Sequence, residues 1–315
     1  MTPPAQDCPR CTSSEFAVLF TGSDRLYHTT DRLFQVVECS HCGLLQLRPR
    51  PSAEELRRFY PQLYWWAPDD TRVGRLEGLY RDLVLRDHVR FVWPGVEDRQ
   101  PVLDIGCGGG SFLAALRRRG ARVVGLDFSP QAARVAWRQN AVPAVSGLAT
   151  QAPFAPESFG AVTMFHTLEH LSEPHLLLEA IHPLLRDDGL LYAQVPNVAS
   201  WQFLLLGERW SGVDIPRHLV HFRAEDLVEM VEQCGFHVLR RKFFSLRDNP
   251  TGLATSLWPG LEPMSRRVRQ VAESAAGRLL KNALYFGLSA ASLPFTVLEA
   301  ACGAGSTVLI EAVKA

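Results

Sequence analysis

The sequence lacks an excess of charge of either sign. Its 315 residues include 33 Lys and Arg against 33 Asp and Glu, so the formal net charge is zero with neutral histidines. Proteins that bind nucleic acid usually carry a basic excess, and the N-terminal region of this chain is not lysine-rich. The composition therefore gives no reason to expect a nucleic-acid partner. We interpret the arginine clusters at 117–119 and 266–269 as solvated helix faces.

The N-terminal residues also show no pattern typical of a secretory leader. No basic segment followed by an apolar one precedes the first cysteines, so we expect a cytoplasmic protein. The candidate for a membrane segment is residues 283–298, an uncharged run that contains Pro294. It is shorter than the ~20 apolar residues that span a bilayer, so we expect no transmembrane segment. Two interpretations stay open for this run: a buried pair of core helices, or an interfacial helix that meets a lipid-linked substrate.

Cysteine, in contrast, is present in a spacing that suggests a metal site. The seven cysteines include two C-x-x-C pairs, which are separated by 27 residues. Each C-x-x-C turn presents two sulfur atoms on one side, so four thiolates can reach the corners of a tetrahedron. Two disulfides or a redox pair are less favoured because the cytoplasm is reducing. We predict a zinc-ribbon-like module that holds a structural zinc through Cys8, Cys11, Cys39 and Cys42. Whether it binds nucleic acid, docks a partner or shapes a substrate pocket stays open.

A glycine-rich turn carries the signal for a ligand. Residues 102–112 read VLDIGCGGGSF, in which a short apolar run precedes three alternate glycines and a helical pattern. Gly106, Gly108 and Gly110 therefore occupy a strand-to-helix turn where the backbone must approach a ligand closely. Asp127 ends the next apolar run, where a carboxylate can accept hydrogen bonds from both ribose hydroxyls. The pattern predicts a nucleoside-binding turn.

Several further segments match the pattern of one enzyme family. The glycine turn has D-x-G-x-G-x-G spacing and lacks the G-x-x-G continuation of dinucleotide oxidoreductases. Residues 159–171 (FGAVTMFHTLEHL), 184–189 (LLRDDG) and 195–197 (VPN) fit its fourth strand, a turn and its fifth strand. Together they resemble class I S-adenosylmethionine-dependent methyltransferases. The segment 210–222, WSGVDIPRHLVHF, resembles a signature of the bacterial branch related to ubiquinone-biosynthesis O-methyltransferases, which also carries an N-terminal cysteine segment.

The resemblance implies S-adenosylmethionine as the cofactor and suggests its contacts. It puts Asp104 near the amino-acid end of the cofactor, the backbone of residues 106–110 around the methionine, Asp127 on the ribose and Phe128 against adenine. The family usually has Gly-Asp-Ala where this chain has Gly-Leu-Ala at 147–149, so backbone there is expected to serve instead of the acid. The implied cofactor residues are Asp104, Gly106, Cys107, Gly108, Gly110, Asp127, Phe128 and Ala149.

Strand and helix patterns alternate regularly from Pro101 onward. They predict an α/β fold, a doubly wound Rossmann-like methyltransferase sheet. Strand 307–314 is expected to pair antiparallel with strand 236–246, and helical patterns at 265–280 and 282–300 predict a helical insertion before that last strand. The expected domains are a zinc-ribbon-like module at 1–50, a helical linker and cap at 51–98, the methyltransferase domain at 99–248 and 305–315, and the insertion at 249–304.

Histidines and one arginine follow strands that end at the predicted ligand crevice. His166 follows the fourth strand of the expected sheet, whereas Arg217 and His218 follow the fifth. A histidine with a pKa near neutrality can remove a proton from a phenol, a hydroxyl or an acidic carbon. His218 is therefore the first candidate for a catalytic base and His166 the second. Arg217 is a candidate for binding a substrate carboxylate or phosphate.

Two narrower resemblances concern the same residues. In ubiquinone-type relatives, Glu169 and His170 match members of a divalent-metal cluster, but His166 stands where that cluster has another acid. Sugar C-methyltransferases, which also combine a zinc module with this fold, have Tyr-His-Glu-His where this chain has Ile-Pro-Arg-His at 215–218. They share His218 with this chain. A catalytic metal and C-methylation both stay open on these residues.

The expected function is transfer of a methyl group from S-adenosylmethionine to a small molecule. The methyl group would go to an O or C atom of a saccharide, a lipid-linked acceptor or a secondary metabolite. One alternative is an rRNA methyltransferase that recognises RNA with its zinc ribbon, although the neutral charge argues against it. Another is a non-enzymatic, cofactor-bound docking protein. The sequence does not indicate an oligomeric state.

Overall fold

Two β-sheets and their covering helices make up the described part of the chain. The computed structural model describes residues 7–60, 72–151 and 153–315. The strands are β1 Phe16–Gly22, β2 Phe34–Cys39, β3 Leu45–Arg48, β4 Val102–Ile105, β5 Val123–Asp127, β6 Ala144–Ser146, β7 Phe159–Phe165, β8 Leu185–Pro196, β9 Val220–His221, β10 Phe236–Lys242 and β11 Thr307–Lys314. The helices are α1 Ala53–Arg58, α2 Arg72–Val96, α3 Ser111–Arg117, α4 Pro130–Asn140, α5 Pro174–Ile181, α6 Trp201–Leu206, α7 Ala224–Gln233, α8 Asn249–Leu257, α9 Pro263–Val268 and α10 Ala275–Ala301.

The larger sheet has seven strands in the order β10-β11-β8-β7-β4-β5-β6. Strands β8, β7, β4, β5 and β6 are parallel, and β11 pairs antiparallel with both β8 and β10. Every residue of β4 is buried because helices cover both faces. Successive side chains point to opposite faces, so Val102 packs in the cluster that contains Val92 and Leu113, whereas Leu103 packs with Leu177. The predicted doubly wound sheet and its antiparallel final hairpin are confirmed.

The boundary between α5 and β8 differs from the prediction. The helical pattern continues to residue 186, but α5 ends at Ile181 and a 3-10 turn, His182–Leu184, follows. Pro183 explains the early end, since proline has no N–H to donate and its ring clashes with the preceding helical turn. Strand β8 consequently begins at Leu185, before the predicted start at residue 190.

The smaller sheet joins the N-terminal module to the methyltransferase sheet region. Its order is β1-β2-β3-β9, with antiparallel pairing throughout. The first three strands come from the N-terminal fifty residues, but β9 comes from the segment 210–222 and pairs with β3 through Leu45 and His221. The smaller sheet therefore extends beyond the predicted domain boundary at residue 50, because it includes β9. Strand β9 has two residues, too few to show a strand pattern in the sequence.

A buried ion-pair group connects the same two regions. The Arg217 side chain has no exposed surface, and its Nη1 and Nη2 atoms each lie 2.9 Å from an oxygen of Asp24, in the loop between β1 and β2. It also donates from Nη2 to Asp214 at 2.6 Å. Its remaining contacts include the backbone carbonyl of Phe59. Two carboxylates oppose one guanidinium, which holds the pKa of Arg217 well above its ordinary value despite burial.

The insertion folds as three helices, whereas the sequence predicted two with different bounds. Helix α9 is short, and α10 continues without a break through Pro294. Helix α10 begins at Ala275 because the Ser274 side chain caps it by accepting from the backbone N–H of Gly277. Residues 269–274 separate the helices where the sequence pattern predicts continuity. Helix α8 packs along α10, with the Thr255 and Tyr285 hydroxyls 3.1 Å apart.

We expect the Asp24–Arg217 pair to stabilise the fold strongly. Asp24→Asn should lower the free energy of unfolding by about 3–5 kcal/mol, because it removes a charged partner of a buried arginine. Arg58→Ala is the control, since Arg58 is 73% exposed and pairs with exposed Glu54, and should cost less than about 1 kcal/mol. Urea unfolding of both variants provides the measurement. Equal effects of the two substitutions would contradict this role for Asp24.

Candidate active site

The glycine turn adopts the left-handed backbone that the sequence predicted. Gly106, Gly108 and Gly110 have φ angles of +74°, +51° and +74°, a region that disfavours residues with a Cβ atom. A Cβ on Gly106 would lie 2.5 Å from Oγ1 of Thr167, and one on Gly110 would lie 3.0 Å from Cβ of Ala136. The turn is therefore packed between helix α4 and the residues that follow β7. This contact brings the turn next to the predicted catalytic histidine region.

Two buried carboxylates support the turn. Asp104 in β4 accepts from the Thr163 hydroxyl at 2.7 Å, and Asp127 accepts from the backbone N–H groups of Gly108 and Ser129, both at 2.9 Å. Burial raises the pKa of Asp104 to about 7, and the neighbouring Asp127 carboxylate contributes to this rise. Burial also raises the pKa of Asp127, against the effect of its two backbone donors. Asp127 thus links the glycine turn to the residue that caps α4.

Exposed apolar side chains lie at the same end of the sheet as the glycine turn. Phe128 follows β5 and is 50% exposed, and Leu148 follows β6 and is 57% exposed. The Tyr60 ring lies 5.9 Å from the Phe128 ring, centroid to centroid. Ala149 begins the 3-10 turn after Leu148. A flat base suits this apolar edge, where the resemblance puts adenine. Residues 61–71, which follow Tyr60, lie outside the described residues.

His166 lies between two carboxylates at the end of β7. Its Nδ1 atom is 3.0 Å from Oε1 of Glu169 and its Nε2 atom is 3.2 Å from Oδ1 of Asp248. Burial opposes a charge here, but the two carboxylates raise the pKa of His166 to about 9. The residue also has a φ of +55°, which is uncommon for a residue other than glycine. A histidine held in this way is an imidazolium that donates from both nitrogens.

Sequence reasoning missed the partners that hold His166. Asp248 comes from the residues that precede α8, and Gln194 of β8 donates to it from Nε2 at 2.6 Å. Oε1 of Gln194 lies 2.9 Å from Nε2 of His88 of helix α2, so Gln194 positions Asp248 and does not itself pair with the charged His166. A polar residue inside an apolar strand was the available signal for Gln194. The sequence around Asp248 does not indicate a site residue, because an Asp followed by Asn-Pro is typical of a helix N-terminus.

His218 lies in a different electrostatic setting from His166. Its Nδ1 atom is 2.9 Å from the Gly212 carbonyl oxygen, which only accepts, so the proton is on Nδ1 and the Nε2 atom holds the lone pair. Burial and the nearby His170 and His221 keep the pKa of His218 well below its ordinary value. His218 is therefore neutral with a free lone pair, which is the form that accepts a proton.

Glu169, His170 and His218 form a group that can hold a cation. One donor atom from each lies within 4.8 Å of the others. Atom Oε2 of Glu169 is buried and meets no hydrogen-bond donor in the described part of the chain. Nδ1 of His170 lies 2.8 Å from the Tyr60 hydroxyl and 3.0 Å from the Arg217 carbonyl oxygen. The carbonyl only accepts, so the proton is on Nδ1 and the Nε2 lone pair is left for a ligand. These residues therefore fit the divalent metal that the resemblance implies at Glu169 and His170, with His218 as a third donor.

Arg217 is adjacent to this group but faces away from it. Its donors meet Asp24, Asp214 and backbone carbonyls, and its side chain has no exposed surface. Since a substrate anion would have to displace two buried carboxylates, the geometry assigns Arg217 to holding the segment before His218. The sequence-based hypothesis of anion binding by Arg217 is not carried forward.

Two adjoining cavities meet at this end of the sheet. One, of about 230 Å³, is lined by both His166 and His218, by Asp248 and by Tyr27 of the N-terminal module. The other, of about 280 Å³, shares Trp210 with the first and extends between the N-terminal module and the insertion. Side chains from every predicted domain except the linker therefore surround the space next to the histidines. A small molecule that entered it would contact the neutral His218 and the charged His166.

The four paired cysteines come together at one end of the smaller sheet. Their sulfur atoms all lie within 4.8 Å of one another, and the distances Cys8–Cys42 and Cys11–Cys39 are both 3.5 Å. These distances exclude disulfides and are close to the ~3.8 Å expected between thiolates on a tetrahedral zinc. At Cys39, backbone N–H groups of residues 41 and 42 offset burial and lower the pKa to about 7, whereas burial raises the pKa of Cys11 and Cys42. The cluster fits the predicted zinc ligands.

Comparison with known proteins identifies the family. Residues 78–241, more than half of the chain, match the methyltransferase-domain family. The chain is a class I S-adenosylmethionine-dependent methyltransferase. Relatives of this methyltransferase include the ubiquinone biosynthesis O-methyltransferases of Xanthomonas campestris, 28% identical with 64% of this chain and 84% of the relative covered, and of Idiomarina loihiensis, 31% identical with 53% and 72% covered.

A solved structure supports the fold of the methyltransferase. A SAM-dependent methyltransferase from Archaeoglobus fulgidus superposes with a TM-score of 0.50 at 18% identity, covering 78% of this chain and all of the other. At this identity the likeness concerns the fold. Because the family is enzymatic, the alternative of a non-enzymatic docking protein is not retained.

We expect Asp127 to contribute to S-adenosylmethionine binding. Asp127→Ala should weaken binding by about 1.5–3 kcal/mol, because ribose hydroxyls would lose a charged acceptor in a buried site. Asp187→Ala, at an exposed position of β8, is the matched control and should leave affinity unchanged. Isothermal titration calorimetry measures both. Binding of NAD in place of S-adenosylmethionine by the unaltered protein would contradict the assignment of the turn.

We expect one zinc ion per chain in the purified methyltransferase. Cys39→Ser should reduce the zinc content, because three thiolates hold the ion less tightly than four. Cys302→Ser is the control, since Cys302 is an exposed lone cysteine. Elemental analysis by mass spectrometry gives the stoichiometry. Unchanged zinc in Cys39→Ser would show that the four cysteines are not the ligands.

Proposed function

We propose that this enzyme transfers the S-adenosylmethionine methyl group to an oxygen or carbon atom of a small-molecule acceptor bound beside His218. The observation that carries the proposal is the cavity that both His166 and His218 line. His166 directly precedes Thr167, whose side chain contacts the glycine turn. This contact supports a short path between the cofactor and acceptor sites. The name O-methyltransferase of the relatives favours oxygen as the acceptor atom.

Methyl transfer requires alignment of donor and acceptor more than covalent chemistry. The acceptor atom forms a bond to the methyl carbon while the carbon–sulfur bond of the sulfonium breaks, and S-adenosylhomocysteine leaves. In our proposal a hydroxyl or acidic C–H of the acceptor donates its proton to Nε2 of His218. The Gly212 carbonyl supports this role because it holds the other nitrogen as a donor and so fixes the tautomer. The surrounding buried residues exclude water.

His166 takes a different part in the proposal. Because Glu169 and Asp248 keep it charged, it is unsuited to accept a proton and is suited to orient an acceptor or to stabilise negative charge that develops on it. This division resembles other sites in which two titratable groups have environments that separate their pKa values. His218 therefore remains the first candidate for the base, and His166 becomes an orienting residue.

A divalent metal is the alternative to a base at His218, because the ion would take the Nε2 lone pair that otherwise accepts the proton. Glu169, His170 and His218 would hold it, as their spacing and the unpartnered Glu169 oxygen support. When bound, such an ion lowers the pKa of a coordinated hydroxyl and so favours the reactive alkoxide or phenolate. Chelation followed by a turnover assay tests this alternative separately from the methyl transfer itself.

The zinc module has a structural role in the proposal. Strand β3 pairs with β9, and the loop after β1 contributes Asp24 to Arg217 and Tyr27 to the cavity. The module would therefore shape the acceptor wall. We propose saccharides, lipid-linked compounds and secondary metabolites as acceptor classes, in a cytoplasmic enzyme whose thiols stay reduced. An RNA acceptor has little support because no basic excess accompanies the module.

A labelling experiment tests the function directly. Purified enzyme is incubated with S-adenosylmethionine labelled in the methyl group and with cell extract, and the label is then separated into RNA, protein, lipid and small-molecule fractions. The proposal requires the label in the lipid or small-molecule fraction. Label that enters RNA would overturn the acceptor class, and label in no fraction would count against methyl transfer.

We expect His218→Ala to lower turnover by about 10²–10⁴, the usual contribution of a general base. Affinity for S-adenosylmethionine should stay within a few-fold, because the residue belongs to the acceptor side. His237→Ala is the control, since His237 is exposed on β10. Kinetics with the identified acceptor and calorimetry with the cofactor give the two readouts. Full turnover in a stably folded His218→Ala enzyme would transfer the role of base to another group.

A further inference from the structure

We propose that helix α10 docks the enzyme on the surface of an anionic phospholipid membrane. The docking surface, here the outer apolar face, consists of Leu280, Leu284, Val297 and Leu298 of α10 with Leu204 and Leu205 of α6. The leucines and valine of α10 are 47–61% exposed, and both leucines of α6 are 72% exposed. Exposed apolar residues are ordinary when they are single. Here Leu280, Leu284 and Leu298 lie at helical spacing on one side of α10, with exposed Gly287, Ala291 and Pro294 between them, and such a continuous side marks an interaction surface.

Helix α10 buries its polar side and exposes its apolar side, the reverse of the usual arrangement. The side that packs on the protein is mainly polar: Asn282, Tyr285, Ser289, Ser292, Thr296 and Glu299. Glu299 accepts from the side chain of Gln202 and from its backbone N–H, both at 2.9 Å. A surface helix of a water-soluble protein normally buries its apolar side and exposes its polar side. The reversal indicates that the exposed side meets an apolar environment.

The neighbouring helix extends the outer apolar face. Helix α6 contacts the C-terminal half of α10 through the Trp201 and Phe295 rings, whose centroids are 6.1 Å apart. Gln202 and Glu299 join the same two helices by buried hydrogen bonds. Because the contact fixes α6 beside α10, Leu204 and Leu205 of α6 add to the apolar area that a partner would cover.

Charge near the N-terminal end of α10 favours a membrane over a second copy of this chain. From Asn282 to Leu298 no residue is charged, whereas Arg269 and Arg278 before this stretch are exposed. The acidic residue between them, Glu273, is already paired with Arg266 and Lys281. Exposed arginines beside an apolar face complement anionic lipid headgroups. Packing two copies face to face would give these arginines no acidic partner on the outer apolar face.

The helix fits the membrane surface and does not fit a position across the membrane. By length and composition, α10 is the one helix in the described ranges that is apolar enough to cross a bilayer. Crossing would separate Glu299 and Asn282 from their partners on the protein and bring them into hydrocarbon, which is costly. Lying in the interface plane keeps those contacts and still covers the apolar side.

The position of α10 connects this inference to the acceptor, and here it rests on the proposed function. Tyr285 on the inner side of the helix lines the same cavity as His218, and its hydroxyl lies 3.1 Å from that of Thr255. A membrane-docked enzyme would therefore have its acceptor cavity directly above the lipid surface. The acceptor class that fits this arrangement is lipid-linked, with a polar group in the cavity and an apolar chain in the membrane.

Vesicle binding tests the inference. The full chain is mixed with sedimentable vesicles of phosphatidylcholine with and without phosphatidylglycerol. We expect binding to the anionic vesicles that weakens with added salt. Leu284→Glu/Leu298→Glu should weaken it by at least about tenfold, because charge replaces the apolar area that drives interfacial binding. Leu239→Glu is the control, since Leu239 is 51% exposed on β10, and should bind as the unaltered protein does.

Further readouts separate the possible failures. Arg278→Glu keeps the apolar face and should selectively weaken binding to anionic vesicles, so it tests the proposal if the double variant does not fold. Absence of vesicle binding by the unaltered protein overturns the inference, as does an equal loss in Leu239→Glu. A dimer that dissociates in Leu284→Glu/Leu298→Glu without any vesicle binding would assign the face to a second copy. Calorimetry with S-adenosylmethionine tests the proposed function independently, because α10 is not part of the glycine turn.

Discussion

The proposed acceptor side of this enzyme depends on one buried arginine. Arg217 joins Asp24 of the N-terminal module to Asp214 of the segment that ends in β9, with no part of its side chain in water. A buried guanidinium is tolerated only when carboxylates and carbonyls satisfy its donors, so the surrounding backbone must keep one arrangement. His218 is the next residue, and its backbone N–H bonds to the Asp214 carbonyl. The same ion pairs therefore hold the proposed base in place.

The cofactor and acceptor sides are built by different means. Strand ends and a glycine turn within one continuous α/β unit form the cofactor side, where Asp104 and Asp127 lie on adjacent strands. The acceptor side combines the N-terminal module, the segment 210–222 and the insertion, each of which contributes to one cavity. With this division, the acceptor specificity can change through the N-terminal module and the insertion while the cofactor site stays the same.

Two histidines on this acceptor side illustrate how tertiary surroundings assign chemistry. His166 and His218 have the same side chain, yet two carboxylates keep the first charged, whereas burial beside other histidines keeps the second neutral. Asp248 makes much of this difference and comes from the residues that lead into the insertion. The insertion therefore affects the charge of the site as well as its shape, and through α10 it also provides the outer apolar face.

The sequence alone determined the features that depend on neighbours along the chain. Strand and helix periodicity predicted the doubly wound sheet, the glycine spacing and Asp127 predicted the cofactor turn, and the C-x-x-C spacing predicted which four cysteines meet. Only the tertiary structure decided the β3–β9 pairing, the burial of Arg217, the Asp248 contact with His166 and the reversed orientation of α10. The physical reason is that these features join residues distant in the chain. Local pattern shows that a residue is charged or apolar, but only the packed partner determines whether that charge is neutralised or that apolar side is exposed.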